Sequence, residues 1–333
     1  MFISVIICTY GRAVVLRDLL ESLDAQSYRN FETLVIDGNG DPSLARNTVQ
    51  AFLQRPGTTL QVDLIASEKG LARQRNVGLD RAKGELICFL DDDITLPDDF
   101  LFRVANIFER PEMHDVGGIT GYDEQSYPAP VTRRWRLRRA LGVIPDLPPG
   151  GVDRLGRGIP LSFLQPFTGY KEVGLLPGFC MIYRRSAIGN LRFDELLPTY
   201  AGEDRDFSMQ IGWRSRLLIC GDLSLSHYSA PQGRDSLLDR NFQSAFGMGR
   251  RFAKYSHGGG NYLKLVITFL GDFLIDVMFL FSRPARMNFL IILIRIKGFF
   301  TGLRSDTAAK RQRRCSPEID SSEQQNGHIS SIR

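Results

Sequence analysis

The chain has 333 residues, of which 43% are hydrophobic and 24% charged, with 42 Lys and Arg against 37 Asp and Glu. That length supports one large domain or two smaller ones, and the ordinary composition excludes both a staple-dependent mini-protein and a chain disordered throughout. Five cysteines at wide spacings, without a C-x-x-C pair, argue against a disulfide framework or a zinc site and fit a reducing compartment.

The first residues, Met1 to Cys8, are apolar and β-branched but carry no basic leader or cleavage site, so they read as a strand and not as a signal peptide. After Thr9-Tyr10-Gly11-Arg12, Leu16, Leu19, Leu20 and Leu23 recur at helical spacing. The pattern repeats with a strand over residues 31–36, a helix around Val49 and Phe52, a strand over 60–65, a helix over 71–82 and a strand over 85–90. Alternating strands and helices predict an α/β fold with a mostly parallel central sheet and helices on both faces. Ligands in such sheets bind beyond the carboxyl ends of the strands, which singles out Thr9 to Arg12, Asp37 to Asp41, Ala66 to Gly70 and Asp91 to Asp93. No G-x-G-x-x-G follows the first strand, which disfavours a dinucleotide-binding domain.

Residues 122–175, rich in Pro, Gly and Arg, read as long loops or a lid. A strand over 179–183, a helix near Asp204 to Gly212 and a strand over 216–220 follow. Residues 264–281 are long enough to approach a membrane span, but Lys264, Thr268, Asp272 and Asp276 recur every fourth residue as one polar stripe. Each central Asp would cost roughly 2.5–3.5 kcal/mol at the bilayer centre. The expectation is therefore a pair of amphipathic helices lying on a membrane surface through residues 264–303; a buried hairpin packed on the domain or on a second copy is the alternative. The Arg133, Arg134, Arg136, Arg138 and Arg139 cluster and the Lys310, Arg311, Arg313 and Arg314 cluster suit solvent, anionic headgroups or a phosphate-bearing acceptor. Nothing resembling a nucleic-acid module accompanies them, so no nucleic-acid partner is expected. The expected organisation is a catalytic domain over 1–230, with a nucleotide-binding half to about 121, then a helical segment over 231–303 and a disordered polar tail over 304–333.

Asp91-Asp92-Asp93 closes an apolar strand with three negative charges, which solvent or a cation must compensate. Hard carboxylate ligands suit Mn²⁺ or Mg²⁺ shared with phosphate oxygens. The surrounding motifs occur in a set order: residues 5–12, Leu34-Val35-Ile36-Asp37, residues 70–78, Phe89 to Asp93, Pro177-Gly178-Phe179, Phe193-Asp194-Glu195, Gly202-Glu203-Asp204 and His227. Together they resemble the family 2 inverting glycosyltransferases, which have the GT-A fold, over about residues 1–230. The resemblance implies a nucleotide diphosphate-sugar donor and a glycan or lipid-linked acceptor. It places Thr9, Tyr10, Arg12 and Asp37 at the base and ribose, Arg75 and Asn76 near the nucleotide, and Asp91 and Asp92 beside the donor. It makes Asp93, with Asp91 and His227, the metal site, Asp204 the general base, and Glu203 an aid to acceptor binding.

Taken without the resemblance, Asp37 also fits a turn cap, Glu203-Asp204 a helix N-terminus, Arg75 a surface position and His227 a structural role. The turn from Asp37 to Asp41 is one residue shorter and less acidic than the family's, and Gln210 stands where relatives commonly hold Arg. No Q-x-x-R-W element follows Glu203-Asp204, which disfavours a processive synthase. The expected protein adds one sugar at the cytoplasmic, inner face of the cell membrane. A sugar-phosphate nucleotidyltransferase and a non-catalytic membrane-associated nucleotide-sugar-binding protein are the rivals.

Overall fold

The computed structural model describes residues 1–39, 43–228, 235–255, 259–278 and 285–315. In chain order the elements are β1 (Ile3–Thr9), α1 (Ala13–Asp24), β2 (Phe31–Asp37), α2 (Ser43–Leu53), β3 (Val62–Ala66), α3 (Leu71–Arg81), β4 (Leu86–Asp91), β5 (Ile94–Thr95) and α4 (Phe100–Glu109). There follow β6 (Val116–Asp123), α5 (Arg133–Ala140), β7 (Tyr170–Val173), β8 (Cys180–Arg184), α6 (Arg185–Ile188), α7 (Glu203–Gly212) and β9 (Arg216–His227). Three further helices, α8 (Leu237–Tyr255), α9 (Gly259–Met278) and α10 (Ala285–Cys315), complete the described chain.

Every residue of β1 is buried, and the two-residue alternation of a strand divides its side chains between two layers. Ile3, Val5 and Ile7 pack with Leu16, Leu19, Leu20 and Leu23 of α1 and with Phe100, Leu101 and Val104 of α4. Ile6 and Cys8 face the other layer, with Ala72 and Leu79 of α3 and Phe207 and Ile211 of α7. The strands run in the order β3-β2-β1-β4-β8-β6-β9-β5, with β7 also on β9. From β3 to β4 neighbouring strands are parallel, so Thr9, Asp37 and Asp91 emerge at one rim, in register Thr9↔Asp37 and Cys8↔Asp91. The antiparallel β8 then joins β4 to β6, and the parallel pairing of β6 with β9 carries Asp123 and His227 toward the same rim.

Residues 122–175 contain α5, β7 and an isolated bridge between Val152 and Gly158. The C-terminal helices differ from the sequence reading in orientation. Thr268 and Asp272 are buried: Arg157 Nη1 donates to Thr268 Oγ1 at 2.8 Å, and Arg138 and Arg295 pair with Asp272 at 2.8 and 3.9 Å. These two members of the polar stripe thus meet Arg138 and Arg157 of the segment 122–175 and Arg295 of α10 instead of facing water. The apolar side of α9 is left outward, with Leu263, Leu270, Leu274 and Met278 each more than half exposed. α10 packs closely along α8; a Cβ at Gly302 would stand 2.0 Å from the carbonyl oxygen of Phe246, so only glycine permits that approach. α10 also continues to Cys315, past Arg304 where the disordered tail was expected, because Ala308, Ala309, Lys310 and Gln312 are strong helix formers. Residues 316–333 lie outside the described residues, as does Asp41.

Candidate active site

The rim of the sheet opens into a cavity of about 490 Å³ lined by Thr9, Tyr10, Arg12, Arg75, Asp91, Asp93, Glu203, Asp204 and His227, among others. These residues come from the ends of β1, β4 and β9 and from the first turns of α3 and α7, so parallel register and helix entry bring distant positions together. On one part of the wall Asp91, Asp93 and His227 offer ligand atoms that all lie within 4.8 Å of one another. His227 Nε2 is 3.1 Å from Asp93 Oδ1, and its ring stacks on Phe179 with centroids 4.8 Å apart. Burial disfavours the His227 imidazolium, but its hydrogen bond with Asp93 and the charges of Asp91 and Asp93 outweigh that and raise its pKa. Burial likewise raises the Asp91 carboxyl, against the pull of Arg75. Two oxygen donors and one imidazole at this spacing fit a divalent cation, and the nitrogen ligand suits Mn²⁺ better than Mg²⁺.

Arg12 meets the same acids: its Nη2 is 2.7 Å from Asp92 Oδ1 and its Nη1 3.2 Å from Asp93 Oδ2. Asp92 is turned beneath the β1 turn, where Thr9 Oγ1 donates to it at 2.8 Å, and it does not line the cavity. Burial pushes its carboxyl up to about 7, opposed by Arg12 and Thr9. Tyr10 is partly exposed with Lys69 Nζ 4.4 Å from its ring centroid.

A buried ion pair forms the other part of the wall. Arg75 Nη1 donates to Glu203 Oε1 at 2.8 Å, its Nη2 donates to the carbonyl of Gly178 at 2.9 Å, and Asp91 Oδ1 lies 3.5 Å away. Arg75 is therefore no surface residue. Burial lowers the Arg75 pKa, but Glu203 and Asp91 more than reverse this. Burial, with the charge of Asp204, pushes the Glu203 carboxyl up to about 8 despite Arg75. Asp204 takes 3.0 Å and 2.7 Å hydrogen bonds from the backbone N–H groups of Gly178 and Arg205. Consecutive residues thus serve both parts of the site, Gly178 holding Asp204 and Phe179 holding His227.

The loop that delivers Asp204 is tied down by α8. Arg250 makes a two-point contact with Asp194, Arg251 Nη1 donates to the carbonyls of Ala201 and Gly202, and Lys254 and Tyr255 bind Asp206 at 2.7 and 2.6 Å. Gly202 caps α7 at φ +79°, in the left-handed region that favours glycine, and Glu203, Asp204 and Asp206 fill the first turn, where the helix dipole favours negative charge.

Three sequence expectations move: Asp92, expected beside the donor, is spent beneath the β1 turn, and Asn76 and Asp37 also leave the cavity wall. Asn76 does not line the cavity: its amide nitrogen donates to the Phe193 carbonyl and Glu195 Oε1, and its oxygen accepts from the Phe193 N–H, so it is spent on fixing the loop below the site. Asp37 stands at the same rim next to Thr9 but faces a neighbouring hollow, with its Oδ1 accepting from the backbone and side chain of Asn39. The sequence reading gave no role to Gly178, Phe179, Lys69 or α8; the Pro177-Gly178-Phe179 turn was visible as a motif, whereas Arg250 and Arg251 carry no spacing signal of their own. Cys8 also lines the cavity, but burial pushes its thiol up to about 12, which removes it as a nucleophile.

The family model for "Glycosyl transferase family 2" matches residues 4–192 of this chain. The chain belongs to that family. Among curated relatives, the succinoglycan biosynthesis protein ExoM of Rhizobium meliloti is 27% identical over 267 residues, covering 78% of this chain and 77% of its own. The amylovoran biosynthesis glycosyltransferase AmsB of Erwinia amylovora is 32% identical over 111 residues, but this match spans only 33% of the chain and 36% of AmsB. A GalNAc(5)-diNAcBac-PP-undecaprenol beta-1,3-glucosyltransferase of Campylobacter jejuni is 35% identical over 27% of the chain and 29% of its own length. Among solved structures, the mannosyltransferase PcManGT from Pyrobaculum calidifontis, in complex with GDP-Man and Mn²⁺, superposes with a TM-score of 0.53 at 16% identity, covering 91% of this chain and 87% of that one. That likeness is one of fold, and the family 2 chain described here has the mixed α/β, GT-A type architecture with added C-terminal helices.

Proposed function

We propose that this family 2 glycosyltransferase is inverting, metal-dependent and non-processive, moving one sugar from a nucleotide diphosphate-sugar to a hydroxyl of a lipid-linked or surface glycan acceptor. The observation that carries the reading is that Asp93, the expected metal ligand, and Asp204, the expected base, line one cavity. Asp204 takes the acceptor hydroxyl's proton as that oxygen attacks the anomeric carbon, and its two backbone hydrogen bonds aim the carboxylate. Glu203, gripped by Arg75, keeps the base loop in register with Asp91. Thr9, Tyr10, Arg12 and Lys69 line the donor side. A Mn²⁺ or Mg²⁺ ion held by Asp91, Asp93 and His227 would neutralise charge on the leaving diphosphate. The names of ExoM and of the undecaprenol-linked glucosyltransferase support an acceptor of the glycan-precursor class.

The acceptor class agrees with a membrane-facing surface. Among the described residues no helix is long and apolar enough to cross a membrane. Instead the outward faces of α9 and α10 expose Leu270, Leu274, Met278, Phe289 and Leu293. Residues 259–315 contain ten Lys and Arg against three Asp, while the rest of the chain has 32 basic against 34 acidic residues. An apolar face on a basic segment matches an anionic lipid surface, and like charge opposes pairing two such faces. These features support the peripheral position on the inner, cytoplasmic face of the membrane that belongs to this proposal.

The test is a panel of nucleotide sugars incubated with Mn²⁺ and a lipid-linked oligosaccharide extract, read as release of nucleoside diphosphate. The expected result is turnover with one donor that EDTA abolishes and Mn²⁺ restores. In a parallel incubation with nucleoside triphosphates and sugar 1-phosphates, release of pyrophosphate would show a nucleotidyltransferase, and metal-independent binding without turnover across the nucleotide-sugar panel would show a binding protein.

A further inference from the structure

One more carboxylate stands behind the proposed metal site. Asp123 is the last residue of β6 and is fully buried. The β6–β9 register sets Asp123 against Leu225, two residues before His227. Its Oδ1 accepts from the backbone N–H groups of Gln125 at 3.0 Å and His227 at 3.2 Å. Its Oδ2 is buried and takes no hydrogen bond among the described residues, yet it lies 3.9 Å from His227 Nδ1. The other ring nitrogen, Nε2, faces Asp93 on the side where Asp91 also offers an oxygen. Stacking on Phe179 holds the ring plane.

A buried polar atom left without a partner is destabilising, so an open Oδ2 beside an imidazole favours an N–H on the nitrogen that faces it. Closing the gap to a hydrogen bond needs a movement of about 1 Å. Which nitrogen of a ligating histidine carries the proton is set by the partner of the other nitrogen. We propose that Asp123 is a positioning residue that keeps the His227 proton on Nδ1 and so presents the Nε2 lone pair to a divalent cation shared with Asp91 and Asp93. This inference rests on the metal-dependent reading above. The turn-forming contacts belong to Oδ1 and need no carboxylate; Oδ2 is the atom that an amide could not replace.

Asp123→Asn separates the two roles. Asn keeps an oxygen for the Gln125 and His227 N–H groups, but sets an NH₂ donor toward Nδ1, which then has to accept and moves the ring proton to Nε2. The experiment measures binding of Mn²⁺ alone by electron paramagnetic resonance, and the His227 tautomer by ¹⁵N chemical shifts in histidine-labelled protein saturated with diamagnetic Mg²⁺, because without a cation Nε2 faces the Asp93 carboxylate at 3.1 Å and donates to it. With four histidines in the chain, His227→Ala assigns the signal. The expected results are a tautomer switch, a 10–100-fold loss of Mn²⁺ affinity and a melting temperature close to the parent's. In a His227→Ala background the same substitution should cost no further affinity. An unchanged tautomer, a parent ring already protonated on Nε2, or an equal loss in the His227→Ala background would overturn the proposal. A parent that binds neither Mn²⁺ nor Mg²⁺ refutes the metal reading, whereas a parent that binds Mn²⁺ with the same affinity as Asp123→Asn refutes the positioning role alone.

Discussion

Replacing Arg75 with Met isolates the buried ion pair on which both parts of the site lean. Met fills much of the volume of the Arg stem but removes the guanidinium, whose Cζ lies 5.4 Å from the Phe193 ring centroid and whose charge faces Glu203 and Asp91. Deleting Arg75 removes two charge-assisted hydrogen bonds of a buried guanidinium, each worth about 1.5–3 kcal/mol, while Glu203 takes up a proton instead of staying a bare charge. For a chain of this size, with an unfolding entropy of roughly 0.7 kcal/mol/K, that loss is a fall in melting temperature of roughly 4–8 °C at neutral pH. The pH dependence carries a sign. Glu203 is held at about 8 in the folded state against an ordinary 4.5, so the folded chain retains a proton that the unfolded chain releases, and stability declines as pH rises from about 4.5 to about 8. Since Arg75 lowers the Glu203 pKa, its loss extends that decline above 8. Melting curves from pH 5 to 9 read both effects, and Glu203→Gln, which mimics the protonated acid, should flatten the profile over the same window. An Arg75→Met chain that melts within about 2 °C of the parent at pH 7.5, with an unchanged profile, would refute the reasoning.

Two further variants probe a support of the site and the outward face of α9. Gly202→Ala forces a side chain into a φ of +79°, with its Cβ 2.8 Å from Arg251 Nη1, at a backbone cost of about 1–2 kcal/mol. Steady-state kinetics should show kcat falling with little change in the donor KM; a variant equal to the parent in kcat would show that the Asp204 loop tolerates displacement. Leu270→Glu with Leu274→Glu places two charges on the outward face of α9, and flotation with vesicles containing anionic lipid should show binding lost, while nucleotide-sugar hydrolysis in detergent persists. Vesicle binding equal to that of the parent would remove α9 from the membrane surface.

The nucleotide-binding half was legible because each strand is a continuous apolar run ending in a polar turn, and each helix repeats its leucines at helical spacing. β1 to β4 accordingly emerge within one or two residues of their expected bounds. β5 and β7, two and four residues long, are too short for periodicity to register; β7 pairs with Leu217 to Cys220 of β9, and β5 with Ser226 and His227, where β9 extends beyond Cys220. Among the site residues, the acids were legible as charge at strand and helix ends. Asn76 was not, because an amide facing a ligand and an amide facing a loop look alike in sequence. The stripe through Thr268 and Asp272 shows the limit most clearly: spacing reveals that a helix has two faces, but the identity of the polar face's partner depends on Arg138 and Arg157, more than a hundred residues away.

Asp204→Asn, followed by single-turnover transfer from the preferred donor, tests the central claim most directly. The amide occupies the same space and keeps one oxygen for the Gly178 or Arg205 N–H, but cannot accept the acceptor's proton. The account predicts a rate loss of roughly 10²–10⁴-fold with donor and Mn²⁺ affinities held within about threefold. Transfer at the parental rate would contradict it.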